Sequence, residues 1–453
     1  MFATLANLKY STVYKRKIYS NRVWVQNKLQ PATISFSNGS VTAIDLKKVN
    51  DAEDYGNAVI MPGVIDVHVH INEPGRTERE GFETATQAAA AGGSTTIIDM
   101  PLNASPVTTT LDAFNQKLEA SKGKMNVNVG FYAGLIPGNA GHLEELIKAG
   151  VVGVKCFLTH SGIDEFPNVT AKDLDEAMPI IAKHNIPLLA HCELYDTEVD
   201  CDFDNNPTSY PHYLASRPKK WENDAIDLMI RMCRKHNCPV HIVHVASAEA
   251  LSKIEAAKKD GLPITAETCT QYIFFNAEDI PDGNCIYKCA PPIREKANNE
   301  QLKQGFVSGV LDFITTDHSP APPNIKEMES GNLKKAWGGI AGIQFLLTAS
   351  WTALKDTMSL EQFIPLVTSK PAHFIKADKK GELRIGNDAD IVIWNPDAID
   401  LVKAEDIFFR YKISPYIAQN LNGKVLETIV NGATVYHNKS IQNKNKGQWL
   451  LQK

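Results

Sequence analysis

The stretch Val64-Ile65-Asp66-Val67-His68-Val69-His70 (VIDVHVH, residues 64–70) decides the fold. An apolar, β-branched run ends in two histidines one residue apart. Side chains alternate faces along a strand, so His68 and His70 project the same way. Two imidazoles side by side at the end of a buried strand can chelate one metal ion. Several later segments end similarly, each in a residue capable of binding metal.

Outward from this stretch, apolar strands alternate with amphipathic helical segments. The strands read as 64–70, 95–100, 127–132, 153–158, 187–192, 240–245, 264–269 and 313–318. Between most of them lie helical patterns such as TATQAAAAGG, HLEELIKAG, LDEAMPIIAKHN and AEALSKIEAAKKDG. Eight apolar strands with helices between them predict a (β/α)8 TIM barrel of the α/β class. Near-continuous Val/Ile runs fit strands buried on both faces. Residues 1–60 instead alternate apolar and polar positions around turn signals such as SNGS, and the C-terminal part returns to that character. The expected organisation is a small β-sandwich built from 1–60 and 376–453, interrupted by a barrel over 61–375. Two long segments, 193–225 and 319–338, follow the fifth and eighth strands. They fall on the rim where barrel enzymes build their sites, as candidate lids.

Composition narrows the class. The chain has 453 residues, 43% hydrophobic and 22% charged, with a net charge of -5. That suits a barrel plus an accessory domain. No basic block argues for nucleic acid, and Lys15, Arg16 and Lys17 read as a solvated strand end. No apolar run approaches the ~18 residues of a membrane helix. The N-terminal stretch MFATLANLKYSTVYKRK lacks a leader-like core, so a cytoplasmic protein is expected. None of the eight cysteines forms a C-x-x-C pair, and they read as small buried hydrophobes.

Six residues on five strands could carry the chemistry. His68 and His70 close the first strand, Lys155 lies on the fourth, His191 on the fifth, His244 on the sixth and Asp317 on the eighth. Four neutral imidazoles and a carboxylate could hold two divalent ions of the zinc type. Two adjacent dications need an anion between them, and an ammonium cannot ligate. A carboxylated Lys155 would supply a bridging carbamate. Taken singly, a strand-end histidine is more often a hydrogen-bonded structural residue than a ligand, and Lys155 more often a salt-bridge partner than a carbamate. Among the other histidines, His142, His184 and His236 read as surface residues, and His160 and His212 as loop residues near the rim. His241 reads as core-side or helix-facing, His318 as orienting a loop, and His373 and His437 lie outside the strands. Two metals would bring a bridging water to hydroxide near neutral pH, and Asp317 could take its proton and pass it to a leaving nitrogen. This set suits hydrolysis of a cyclic amide. Neither a dinucleotide fingerprint nor a phosphate-cradling loop is present.

These residues resemble those of the cyclic amidohydrolases, the family of hydantoinases, dihydropyrimidinases, dihydroorotases and allantoinases. The resemblance covers nearly the whole chain. It implies that His68, His70, Lys155, His191, His244 and Asp317 are ligands of two metals, zinc in the first instance with cobalt or manganese tolerated. It also implies that Lys155 is N-carboxylated and that Asp317 is the acid/base. Within the family the flanking strings are most similar to those of allantoinases: HINEPGR (70–76), MPLN (100–103), GVKCFL (153–158), SRPKKWENDAI (216–226), KCAPPIR (288–294), TDHSP (316–320), WGGIAGIQ (337–344) and KISPY (412–416). The implied reaction is opening of the hydantoin ring of allantoin to allantoate, and the resemblance implies a homo-oligomer, with tetramers the family's tendency. Hydantoinase or dihydropyrimidinase activity is the alternative, and an inactive scaffold a remote one. Dihydroorotases place an arginine where this chain has Asn72, and an amide cannot make a bidentate ion pair with a substrate carboxylate. Asn103, Ala290 and Gly339 are the candidates for substrate contact, each with a packing or turn role as the plainer reading. Arg76 and Glu73 could line the rim or form a loop ion pair.

Overall fold

The computed structural model describes residues 15–195, 199 and 201–452. The reading of the N-terminal stretch as leaderless falls mostly on residues 1–14, outside the described residues.

Eight parallel strands form the barrel: Val64–Val69, Ser94–Asp99, Asn128–Phe131 continued by Ala133–Gly134, Val154–Phe157, Leu188–His191, Val240–Ile242, Ile264–Cys269 and Phe313–Thr315. Each pairs in parallel with the next. Closure comes from a parallel bridge between Val69 and His318, and from the His70 amide donating to the His318 carbonyl at 2.8 Å. Asp66 reinforces that seam by accepting the Thr316 hydroxyl at 2.5 Å. The first strand is buried at all six positions, as a strand covered on both faces must be.

The helices follow from their sequences. Ala171–Lys183 begins in a capping box made by Thr170 and Asp173, and its buried Leu174, Ala177, Met178 and Ile181 form one stripe facing the barrel. Lys219–His236 ends at Asn237 in the left-handed region, φ 46°, a conformation asparagine tolerates.

The strands at the two chain ends join edge to edge in one nine-stranded sheet. Ile18, Ile34, Phe36, Ile60, Ile391, Ile393 and Ile429 share one core on it. The expected SNGS hairpin is present: Asn38 (φ 50°) and Gly39 (φ 82°) turn between Lys28–Ser37 and Ser40–Asp45. Arg16 is not a solvated strand end. It makes ion pairs with Glu53 and Glu427, the latter at 2.6 Å, and so joins the two halves of the sheet.

The strand Val59–Pro62 runs straight into the first barrel strand, with only Gly63 between. A Cβ at Gly63 would stand 2.1 Å from the Thr95 side chain, so the close approach of sheet and barrel requires glycine. The last strand, Trp449–Leu450, leaves the accessory sheet and pairs in parallel with the third barrel strand.

Of the two long rim segments, 193–225 contains the short helix Tyr210–Ala215 and the start of Lys219–His236, which puts His212 in a helix rather than a loop. Residues 319–338 carry turns but no helix or strand. All eight cysteines are free thiols. No described helix is long and apolar enough to cross a membrane.

Candidate metal centre

A cavity of about 560 Å³ opens at the C-terminal rim. His68, His70, Lys155, His191, His244 and Asp317 all line it, so one wall gathers all six residues singled out from the sequence. His68, His70 and Asp317 each offer a ligand atom within 4.8 Å of the others. The Nε2 atoms of His68 and His70 stand 3.3 and 3.2 Å from the same oxygen, Oδ1 of Asp317.

The far side of each imidazole explains its orientation. Nδ1 of His68 is 2.6 Å from Oε1 of Glu267, and Nδ1 of His70 is 2.7 Å from the Leu102 carbonyl. Carboxylate and carbonyl are acceptors, so both Nδ1 atoms carry the proton and both Nε2 lone pairs face Asp317. Nε2 of His191 is 2.7 Å from Oε2 of Glu193, which leaves its Nδ1 as the free nitrogen. The His244 ring lies 4.6 Å from that of His191 and 5.4 Å from that of His68. His244 and Asp317 both adopt left-handed backbone, φ 41° and 46°, uncommon for residues other than glycine and frequent at functional sites.

Protonation states agree with this geometry. Burial lowers the imidazole pKa of His68 and His191, and lowers that of His244 well below the ordinary value, so these rings are neutral, the form that ligates. Lys155 is fully buried, its Nζ has no hydrogen-bond partner, and burial pushes the amine down to about 8. Two unprotonated nitrogens and a carboxylate oxygen facing one another, beside a partnerless amine, form an acceptor-rich cluster that a cation would satisfy. The donor set fits divalent metal.

Several contributors were not assigned from the sequence. Glu267 holds His68 with one oxygen while the other stands 3.2 Å from Nε2 of His241. His241 is core-side, as expected, and stacks on Phe313 at 5.1 Å. Glu193 links His191 to Arg217 on the rim segment. A carboxylate inside an apolar strand was the available signal for Glu267. His318 orients a loop, as expected: its Nδ1 accepts the Gly342 amide at 3.2 Å, and its Nε2 is 3.3 Å from Glu80.

The expected substrate contacts divide. Asn103 and Ala290 line the cavity, whereas Gly339 does not and its neighbour Gly338 does. A Cβ on Gly339 would sit 2.3 Å from the Ser319 carbonyl, so glycine there serves packing. Asn103 donates to Oδ1 of Asn72, and Asn72 donates to the His70 carbonyl, each at 3.1 Å. Glu73 and Arg76 stay out of the cavity lining. Glu73 accepts the Phe82 amide at the start of a helix, and Arg76 braces the Asn103 carbonyl at 2.9 Å. The rim segments supply the upper walls, with Tyr213, Arg217 and Trp221 from one and Trp337 and Gly338 from the other. His160 stands at the mouth.

A closed eight-stranded barrel, an H-x-H pair ending its first strand and an aspartate following its eighth define the hydrolase class. The chain belongs to the amidohydrolase family, whose sequence profile matches residues 59–435. It is 40% identical to a probable allantoinase of Oryza sativa subsp. japonica and 39% identical to an allantoinase of Arabidopsis thaliana. Both alignments cover 92% of this chain and 87% of the relative. Among solved structures it is similar to the L-hydantoinase (dihydropyrimidinase) of Arthrobacter aurescens, with a TM-score of 0.89, 28% identity, and coverage of 96% of this chain and 99% of that one.

Proposed function

We propose that the protein opens the hydantoin ring of allantoin by hydrolysis of its cyclic amide, giving allantoate. The observation that carries the substrate is the similarity to allantoinases over 92% of the chain. The chemistry is supported by the convergence of His68, His70 and Asp317 beside the partnerless amine of Lys155.

In this reading His68, His70, Lys155, His191, His244 and Asp317 would hold two divalent ions, zinc in the first instance, and Lys155 would act as a ligand in its carbamate form. The neutral amine is the form that adds carbon dioxide, and burial favours that form in Lys155. The bound pair would activate water and polarise the scissile carbonyl. Asp317, ionised at neutral pH, accepts the proton of the attacking water and returns it to the departing ring nitrogen. Glu267, the Leu102 carbonyl and Glu193 keep the imidazoles turned toward the centre. The rim segments form part of the cavity wall, and Asn103, Ala290 and Gly338, which line it, would contact the substrate. We assign the protein to the cytoplasm and expect a homo-oligomer, with cell fractionation and sedimentation as the respective tests.

Hydantoinase or dihydropyrimidinase activity is the second reading, favoured by the likeness to the Arthrobacter aurescens enzyme. Turnover of allantoin, hydantoin and dihydrouracil by purified protein, with and without chelator, separates the two. Inactivity on allantoin with activity on the others would reject the first reading. Full activity after complete metal removal would reject the metal mechanism.

A further inference from the structure

The string KCAPPIR (288–294) brings a lysine to the cavity wall that the hydrolytic machinery does not use. Lys288 makes no ion pair with a carboxylate among the described residues. Its Nζ donates to one partner, the Ala336 carbonyl, at 2.5 Å, and lies 5.4 Å from the centre of the Tyr213 ring. An ammonium has three donors, so two remain. Its neighbour Lys326 is the opposite case. That fully buried ammonium is saturated by three carbonyls, those of Lys288, Trp337 and Gly339, at 3.2, 3.1 and 2.8 Å. The Lys288 carbonyl also accepts the Gly339 amide at 3.0 Å. The backbone of Lys288 is thus pinned from two sides, while its side chain keeps donors to spare. Burial and then Arg217 push the Lys288 amine down to about 8, which leaves it mostly charged near neutral pH.

We propose that Lys288, with the Ala336 carbonyl beside it, forms a subsite for the ureido arm that distinguishes allantoin from hydantoin. The inference rests on the allantoin reading above. A ureido group presents one carbonyl oxygen and several N–H donors. The two free Lys288 donors match the oxygen, and the Ala336 carbonyl, which keeps a second lone pair, matches an N–H. A ring without this arm leaves the pair unused, so Lys288 sets specificity without taking part in the proton transfers. An ammonium bound only to a carbonyl also gains more from a ligand oxygen than one already neutralised by a carboxylate.

The test compares wild-type protein with Lys288→Met and Lys288→Arg. It measures KM and kcat for allantoin, the inhibition constant of hydantoin, and the melting temperature. Lys288→Met should raise KM for allantoin about 10- to 100-fold, with the larger part of the effect in KM rather than kcat. The hydantoin constant should move by less than about threefold, and Lys288→Arg should recover part of the loss. If hydantoin binds wild-type protein too weakly to measure, methylurea replaces it as an arm-only inhibitor, and Lys288→Met should abolish its effect. An unchanged KM, equal losses for allantoin and hydantoin, or methylurea inhibition that survives in Lys288→Met would overturn the assignment. If Lys288→Met melts markedly lower, Lys288→Gln, which keeps a donor, is judged by the same criteria. Wild-type protein inert toward allantoin would overturn the functional reading itself, and so the two failures are distinct.

Discussion

Nδ1 of His68 and Oε1 of Glu267 are 2.6 Å apart, and the second oxygen of Glu267 reaches His241 on the neighbouring strand. Burial would raise the Glu267 carboxyl, but His68 and His241 hold it well below its ordinary range. A charge inside the barrel thus fixes the tautomer and direction of a candidate ligand. Glu267→Gln keeps the shape and removes the charge. It should weaken metal binding about 10- to 100-fold, read as metal retained against a graded chelator. Unaltered retention would show that His68 orients itself.

Lys155 carries the proposed link between the two ions. Lys155→Ala should bind fewer than two metals per chain and lose activity by roughly a thousandfold or more, as expected when metal-assisted charge stabilisation of several kcal/mol is removed. Metal content by elemental analysis and kcat on allantoin together decide it. Two metals with full turnover in the variant would remove the carbamate from the mechanism.

Asp317 is assigned the proton relay. Asp317→Asn should lower kcat about 100- to 10,000-fold, the usual range for a positioned acid/base, and should flatten the acid limb of the pH–rate profile. A variant that keeps the wild-type acid limb would show that another group titrates there.

Lys326 clamps three rim carbonyls. Lys326→Met leaves them without that donor, at a cost of about 1–3 kcal/mol in stability. A lower melting temperature and faster proteolytic cleavage within 319–338 are expected; resistance equal to that of the wild type would show that the segment holds without the clamp.

Arg16 and Glu427 join the two chain ends at 2.6 Å, with side chains 10% and 2% exposed. Burial would raise the Glu427 carboxyl, but the Arg16 contacts hold it below its ordinary 4.5. A depressed carboxylate contributes stability above its unfolded value and loses it as pH falls through the folded one. Arg16→Met should therefore destabilise by about 3 kcal/mol near neutral pH, and the gap from the wild type should narrow below pH 4.5. Melting temperatures of both proteins at neutral and acid pH measure it. A gap independent of pH would assign the effect to packing alone.

The barrel and its chemistry were legible because each strand is a local apolar run with its own period. His68 and His70 share a face by backbone geometry alone, His191, His244 and Asp317 each close such a run, and Lys155 lies within another. Glu193 and Glu267 were written in the same runs, yet their partners are tertiary. Nothing along the chain says that Glu267 meets His68 from 199 residues away. Gly339 misled for a related reason: WGGIAG marks a tight approach, and only packing against Ser319 determines which of its two leading glycines faces the cavity. Arg16 read as a solvated cation because its partner Glu427 lies 411 residues away.

By itself the sequence determined the alternation of strand and helix, the turn residues and the types of side chain at the strand ends. These follow from local backbone periodicity and elementary ligand chemistry. The tertiary structure alone decided which nitrogen of His68, His70 and His191 is left free, which amine keeps free donors, and where the C-terminal tail docks. Those outcomes depend on burial and on partners that only a closed barrel brings together.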